Sequence, residues 1–176
     1  MDSVEVSTVV YLPPEDVYEF LEDFPGYARY SKYLREVRQD GDGSPGTRYA
    51  LTFAWWKLTY TAVSEVTAVD PPTRIDWRIV SELDAEGHWR VEPADDEAPP
   101  DRDHASRVWL TVEFDPDSAT SDAVDLPLLV SLDWVVDKVR PLIREEAERI
   151  VERIVADLEG ERRDVDLRIH AGPDDI

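Results

Sequence analysis

The apolar positions of this chain follow two periods, and they divide it into a strand-rich body and a helical end. From Val4 to Leu12 the pattern alternates, with Val4, Val6, Thr8, Val10 and Leu12 on one side, which predicts a strand. Pro13-Pro14 stops it. Pro14 to Glu22 then places Val17, Tyr18, Phe20 and Leu21 among acids, a short amphipathic helix whose first turn carries Glu15 and Asp16 against the helix dipole. Asp23-Phe24-Pro25-Gly26 breaks it, and the aromatic-rich run from Tyr27 to Tyr33 predicts a second short helix leading into a strand.

Beyond Leu34 the period is two. Strands are predicted over Leu34 to Gln39, Thr47 to Trp55, Leu58 to Val69, Thr73 to Val80, Glu86 to Glu92 and Arg107 to Phe114. Tyr49, Leu51, Phe53 and Trp55 share one face of the second of these, and Trp56-Lys57 is its hairpin tip. The alternation slips between Ala62 and Val66, which predicts a bulge. Asp40 to Gly46 and Asp70-Pro71-Pro72 read as turns. Pro93 to His104 is acidic, bears prolines and shows no apolar period, so a mobile loop is expected there.

From Pro127 to Gly160 the spacing becomes helical, with Leu128, Leu132, Val135, Val139, Leu142, Ile150, Ile154 and Leu158 among the stripe positions. Asp125 is the expected N-cap, Pro127 sits in the first turn, and Gly160 is the expected stop. Pro141 predicts a kink or break near Lys138 to Arg140. That division makes Leu142 to Leu158 a clamp on the sheet, and Pro127 to Val139 the part that borders a cavity and shifts about the proline. The expected class is α+β: about seven antiparallel strands, in the order strand, two short helices, six strands, one long helix. The sheet curls, and its apolar face closes on the helix. Residues 1–160 form one domain. Residues 161–176 form a polar tail, although Val165, Leu167 and Ile169 alternate as in a short strand.

Charge changes this picture only at the surface. The 176 residues carry a formal charge of -21, from 40 Asp plus Glu against 19 Lys plus Arg. Six tryptophans and 42% hydrophobic content argue for a folded core under an acidic skin rather than disorder. Acid-rich, lysine-poor surfaces resemble those of salt-loving microbes, where salt screens self-repulsion. There is no basic stripe, so nucleic acid is not an expected partner. The chain has no cysteine, which removes thiol chemistry and thiolate metal sites. Met1-Asp2-Ser3-Val4-Glu5 has no leader pattern, and no run is long and apolar enough to span a bilayer, so a cytoplasmic protein is expected.

The candidate site is aromatic. Tyr27, Tyr30, Phe53, Trp55, Tyr60, Trp77, Trp89, Leu132 and Trp134 are the residue types that line an apolar small-molecule cavity, and equally the types that fill a core. Trp55 and Trp56 point to opposite faces of a strand, so an inward Trp55 leaves Trp56 exposed beside Lys57. That hairpin is a candidate for transient membrane contact. Arg74, Asp76 and Arg78 alternate as a solvent-face charge ladder or as a clamp for a ligand anion. His88, His104 and His170 are scattered, and no nucleophile, acid-base or metal spacing marks them. No catalytic residue, metal or cofactor is assigned. The acidic run Asp95-Asp96-Glu97 lacks the glycine and spacing of a calcium loop.

Several local motifs resemble the START-like (SRPBCC, helix-grip) superfamily, nearest to its polyketide cyclase/dehydrase and coenzyme Q-binding families. The strand-then-helix opening is Val10-Tyr11-Leu12-Pro13-Pro14-Glu15-Asp16-Val17-Tyr18-Glu19-Phe20-Leu21, followed by Asp23-Phe24-Pro25-Gly26-Tyr27. Asp70-Pro71-Pro72-Thr73-Arg74-Ile75 is similar to the turn before the fifth strand, and Gly87-His88-Trp89-Arg90-Val91-Glu92-Pro93 to the sixth strand. The resemblance spans residues 3–159. It implies an elongated apolar cavity between sheet and long helix that holds lipids, isoprenoid quinones or polyketides in different members. Fold does not choose among functions. The expected activity is binding or carriage of a hydrophobic small molecule. The alternatives are a cyclase or dehydratase, with Tyr60, Arg78 or His88 converging in the cavity, and an interaction module with a filled core.

Overall fold

A computed structural model describes residues 2–118 and 131–171. Eight antiparallel strands form one sheet: β1 (Asp2–Val10), β2 (Leu34–Asp40), β3 (Arg48–Trp55), β4 (Leu58–Asp70), β5 (Arg74–Ile79), β6 (Ala85–Pro93), β7 (Ser106–Phe114) and β8 (Arg168–Ala171). Their order across the sheet is β2-β3-β4-β5-β6-β7-β1-β8. Short turns make β2 to β7 a meander, and β1 closes against β7 with Val4, Val6, Thr8 and Val10 opposite Val112, Leu110, Val108 and Ser106. Helix α1 (Pro14–Glu22) and a 3-10 segment (Phe24–Arg29) follow β1, and α2 (Leu132–Glu159) follows the meander. This is the α+β arrangement the periods predict.

The differences are local. The sheet has eight strands rather than about seven, because Arg168–Ala171 within the expected tail pairs with β1, Val6 opposite Ile169. The second short helix is 3-10 and begins at Phe24, ahead of the expected Tyr27. The slip in β4 falls between Val66 and Ala68, just beyond the predicted window. The acidic segment after β6 is tied down rather than mobile. The Ala94 N–H donates to Ala105 O at 2.8 Å, and Asp95 Oδ1 accepts from the Ala105 N–H at 3.1 Å. Arg107 pairs with Glu97 at 2.7 Å. Side-chain carboxylates here close a compact turn and hold arginines, a role that apolar periodicity does not reveal.

Helix α2 starts with Ser131 as its N-cap, the Ser131 hydroxyl accepting from the Trp134 N–H at 3.2 Å. Asp125, Pro127 and Leu128 lie outside the described residues. The helix continues through Pro141 instead of breaking. Proline removes one backbone bond and crowds the preceding turn, at a cost of about 3 kcal/mol inside a helix. The packing of Val151, Val155 and Leu158 on the core, beyond the proline, works against that cost. Gly160 ends α2 at φ 81°, left-handed, where a side chain is disfavoured.

The core occupies one end of the space between sheet and helix. Val10, Val17, Tyr18, Leu21, Tyr49, Val66, Ile75, Val91, Val108 and Val155 are buried together, with Val151 and Leu158 against them. So α1, the mid-sheet and the last turns of α2 share it. The end of α2 is then locked by charge. The buried Glu159 carboxylate accepts from the Tyr11 N–H at 2.8 Å and from Arg163 Nε and Nη2 at 2.7 and 3.0 Å. Arg163 stacks over Tyr11 at 3.9 Å and donates to Val9 O at 2.8 Å. Arg102, from the acidic segment, donates to the Glu159 carbonyl at 3.1 Å, placing a cation on the negative end of the helix.

Candidate functional site: an apolar cavity beside the tryptophan hairpin

At the other end the sheet and helix stand apart. A cavity of about 460 Å³ lies between the β3–β4 hairpin, the segment after the 3-10 turn, and the middle of α2. Ser31, Tyr33, Phe53, Trp55, Leu58 and Tyr60 form the sheet side. Leu142, Ile143, Glu146, Ala147 and Ile150 form the helix side. The register explains the first wall: Phe53 sits opposite Tyr60 and Trp55 opposite Leu58, and directly opposed residues of antiparallel strands share a face. Helical spacing explains the second, since Leu142, Glu146 and Ile150 are four apart. Among the described residues, the segment of α2 that borders the cavity is the stretch of about two and a half turns from Leu142 to Ile150; most side chains of the segment before Pro141 lie outside what is described.

The candidate residues divide into three groups. Phe53, Trp55 and Tyr60 line the cavity. Trp134 stands beside it, 6.3 Å from Trp55 and 5.7 Å from Trp56 between ring centroids. Leu132 begins α2, but its side chain lies outside what is described. Tyr27, Tyr30, Trp77 and Trp89 are elsewhere. The Tyr27 hydroxyl donates to Leu21 O, and its ring stacks on Phe20 at 5.7 Å. Burial, with Asp23 adding to it, pushes the Tyr27 phenol well above its ordinary value, so it stays a donor. Tyr30 is buried edge-on against Phe20 at 5.6 Å. Trp89 packs on the core, and the Trp77 ring lies against Gly87, where an added Cβ would come within 2.7 Å of it. Alternation puts Trp77 and Trp89 on the apolar face of the sheet, and Tyr27 and Tyr30 read as part of a short helix. Neither pattern says which end of the sheet they would occupy.

Tyr33, Leu58, Ile143, Glu146, Ala147 and Ile150 were not singled out from sequence. Leu58 was open to detection, since pairing across a two-residue tip puts it opposite Trp55. Glu146 was not, being one acid among many on a charged helix.

The hairpin tip divides as its alternation predicts. Trp55 faces the cavity, while Trp56 is 56% exposed and adopts φ 54°, the left-handed conformation a two-residue tip requires. Lys57 Nζ lies over the Trp56 ring, 5.4 Å from its centroid. Phe53, Trp134 and Ile143 are also exposed large apolar residues.

Two of the lining residues carry polar atoms that are buried from solvent. Glu146 is 4% exposed, and its Oε1 accepts from the Lys32 N–H at 3.4 Å and lies 3.5 Å from Arg153 Nη1. Its Oε2 has no hydrogen-bond partner among the described residues, nor does the buried Tyr60 hydroxyl.

Arg74, Asp76, Arg78 and His88 sit on the opposite face of the sheet. Arg74 pairs with Asp76 at 2.7 Å, and Glu65 bridges Arg48 and Arg78, each at 2.9 Å. These two bonds hold the Glu65 carboxyl below its ordinary value. His88 pairs in register with Asp76. Burial and then the Arg74 charge hold its imidazole below the ordinary value. His104 lies 3.4 Å from Asp95, and His170 bonds Ser7 Oγ at 2.7 Å and stacks on Trp109.

Comparison with known proteins agrees with this geometry. Residues 1–159 match the family model described as polyketide cyclase / dehydrase and lipid transport. No curated protein matches the chain in sequence. Among solved structures, the chain is similar to the Zhui aromatase/cyclase from Streptomyces sp. R1128, at 19% identity over 89% of this chain and 93% of that one, with a TM-score of 0.63. It is similar also to Ara h 8.0201, at 18% identity over 90% and 98%, with a TM-score of 0.60. At these identities the structural likeness speaks for the fold. With the sheet, the long helix and the cavity between them in place, the chain belongs to the polyketide cyclase/dehydrase and lipid transport family, within the START-like helix-grip superfamily.

Proposed function

We propose that this protein binds and carries a hydrophobic small molecule in the cavity between the β3–β4 hairpin and α2. The observation that carries the reading is the cavity itself. About 460 Å³ lies within the range of roughly 300–1,000 Å³ usual for small-molecule sites, and its walls are apolar. Burial of apolar ligand surface is worth roughly 25 cal/mol per Å², so such walls retain a lipid, an isoprenoid quinone or a polyketide-like molecule. Loading runs past Trp55, Trp56 and Trp134, and the exposed Trp56 beside Lys57 makes a transient contact with a membrane surface during it.

The cyclase or dehydratase alternative calls for several polar groups converging on the bound molecule. Of Tyr60, Arg78 and His88, only Tyr60 stands on the cavity wall, while Arg78 is paired on the far face. That favours carriage over catalysis. The test is purification at high salt, organic extraction and mass spectrometry, followed by quenching of Trp fluorescence with candidate ligands. A co-purifying hydrophobic molecule that quenches on rebinding is expected. An empty extract together with no quenching by any candidate would sink the reading.

A further inference from the structure

We infer that the cavity end of the molecule docks on an anionic lipid surface, with Lys32, Lys57 and Lys138 meeting the headgroups and the exposed tryptophans entering the interface. This rests on the binding reading above and specifies the charge of the surface at which the cavity loads.

The distribution of charge carries the inference. Acids make up 40 of the 176 residues, yet residues 24–35, 43–64 and 138–144 contain none. These three stretches build the cavity end: Tyr33 comes from the first, Trp55 and Leu58 from the second, Leu142 from the third. All three lysines of the chain lie in them, and each is exposed. Lys32 Nζ lies 5.0 Å from the Tyr33 ring centroid, and Lys57 Nζ 5.4 Å from that of Trp56. Lys138 follows Trp134 by one helical turn, on the ridge of fourth residues that continues to Leu142. By contrast Arg74, Arg107 and Arg163, outside these stretches, are each paired with a carboxylate.

The apolar part of this surface suits the same partner. Phe53, Trp56, Trp134 and Ile143 are exposed large apolar residues at this end. Tryptophan favours the boundary between headgroups and acyl chains, and lysine lays its stem on apolar surface while its ammonium reaches the headgroups. A neutral surface also disfavours acids, but only a negative one gains from the lysines. Near an anionic bilayer each lysine strengthens binding about fivefold, so three give up to about a hundredfold. Asp137, exposed beside Lys138, subtracts from this. Most of the remaining negative charge acts weakly at the mouth. At 0.1 M salt the screening length is about 10 Å. Helix α2 alone runs about 37 Å from Trp134 to Glu159, at roughly 1.5 Å per residue, so acids around its far end lie several screening lengths away.

The probes are vesicles of phosphatidylcholine alone and vesicles with one-third phosphatidylglycerol. Flotation measures binding, and the blue shift of Trp emission reports docking. Both are read for the full native chain, for the triple variant Lys32→Gln, Lys57→Gln, Lys138→Gln, and for Trp56→Ser. In about 0.1 M sodium chloride the native protein should bind the anionic vesicles at least about tenfold more tightly than the neutral ones, a difference of roughly 1.4 kcal/mol. The triple variant closes that gap, and so does about 1 M salt, where the screening length is about 3 Å. Trp56→Ser weakens binding to both vesicles and keeps the gap. All four side chains are exposed, so the variants keep the fold, which circular dichroism checks. Equal native binding to both vesicles overturns the inference while leaving the membrane contact. A folded triple variant that keeps the gap, or a gap unchanged by salt, also overturns it. Trp56→Ser binding both vesicles as the native protein does overturns the entry of that tryptophan. Binding to neither vesicle overturns the inference and the membrane contact together. Cavity binding is read separately, by Trp quenching with N-phenyl-1-naphthylamine without vesicles, and stands or falls on that result alone.

Discussion

Gly87 leaves no room for a methyl group. An added Cβ would stand 2.4 Å from Thr111 O and 2.7 Å from the Trp77 ring, and the first of these is backbone that cannot swing away. Gly87→Ala should therefore destabilise the fold by about 1–3 kcal/mol, the usual range for overpacking, as read from urea unfolding. The neighbouring His88 gives a pH signature. Its folded value is depressed by burial and by Arg74, so the unfolded chain takes up a proton at a higher pH than the folded one. The stabilising contribution is intact above the ordinary histidine range near 6.5 and declines as pH falls through it toward the lower folded value. Replacing His88 with Asn should flatten the midpoint-against-pH curve in that window. An unchanged curve would show that His88 is not the group responsible.

At the scale of elements, α2 is a helix with two neighbours. Its last turns close on the core through Val151, Val155 and Leu158, while Leu142 to Ile150 face the cavity. The lock at Glu159 holds the closed end. Glu159→Ala leaves Arg163 and the Tyr11 N–H without their acceptor. Breaking a buried pair from one side costs about 3–5 kcal/mol, and the lower end applies because Arg163 is partly exposed. Thermal or urea unfolding measures this, and a loss under about 1 kcal/mol would show that water replaces the carboxylate without penalty. Much of this element was legible in the sequence: its type, its glycine stop and its apolar stripe. Its start was not: Ser131 caps α2, and Asp125 lies outside the described residues. At Pro141 the helix does not break. Propensity gives the cost of a proline, whereas tertiary packing decides whether the helix bears it.

The whole molecule is a sheet and helix that meet at one end and part at the other, under a strongly acidic surface. Strand alternation reveals which residues face the helix. It carries no information about where along the sheet the helix stays close, so Phe53 and Trp55 read the same as Trp77 and Trp89. Buried polar atoms such as Glu146 Oε2 are likewise invisible, since burial is a property of the assembled fold. The surface charge is legible directly, and a formal -21 predicts that stability rises with salt. The screening length falls from about 10 Å at 0.1 M to about 3 Å at 1 M, so the unfolding midpoint should climb across that range. A midpoint that is flat or falls with sodium chloride would show that the ion pairs on the outer face matter more than the net repulsion.

The cavity between hairpin and helix is the centre of this account, and one comparison tests it most directly. A neutral apolar fluorophore, N-phenyl-1-naphthylamine, is titrated at high salt into the native protein and into Ala147→Phe, which fills the helix side of the cavity. Saturable one-to-one binding to the native protein, weakened at least about tenfold in Ala147→Phe with the fold intact, is the predicted result; a tenfold loss corresponds to about 1.4 kcal/mol. Equal binding to both proteins would place the apolar site elsewhere and contradict the account.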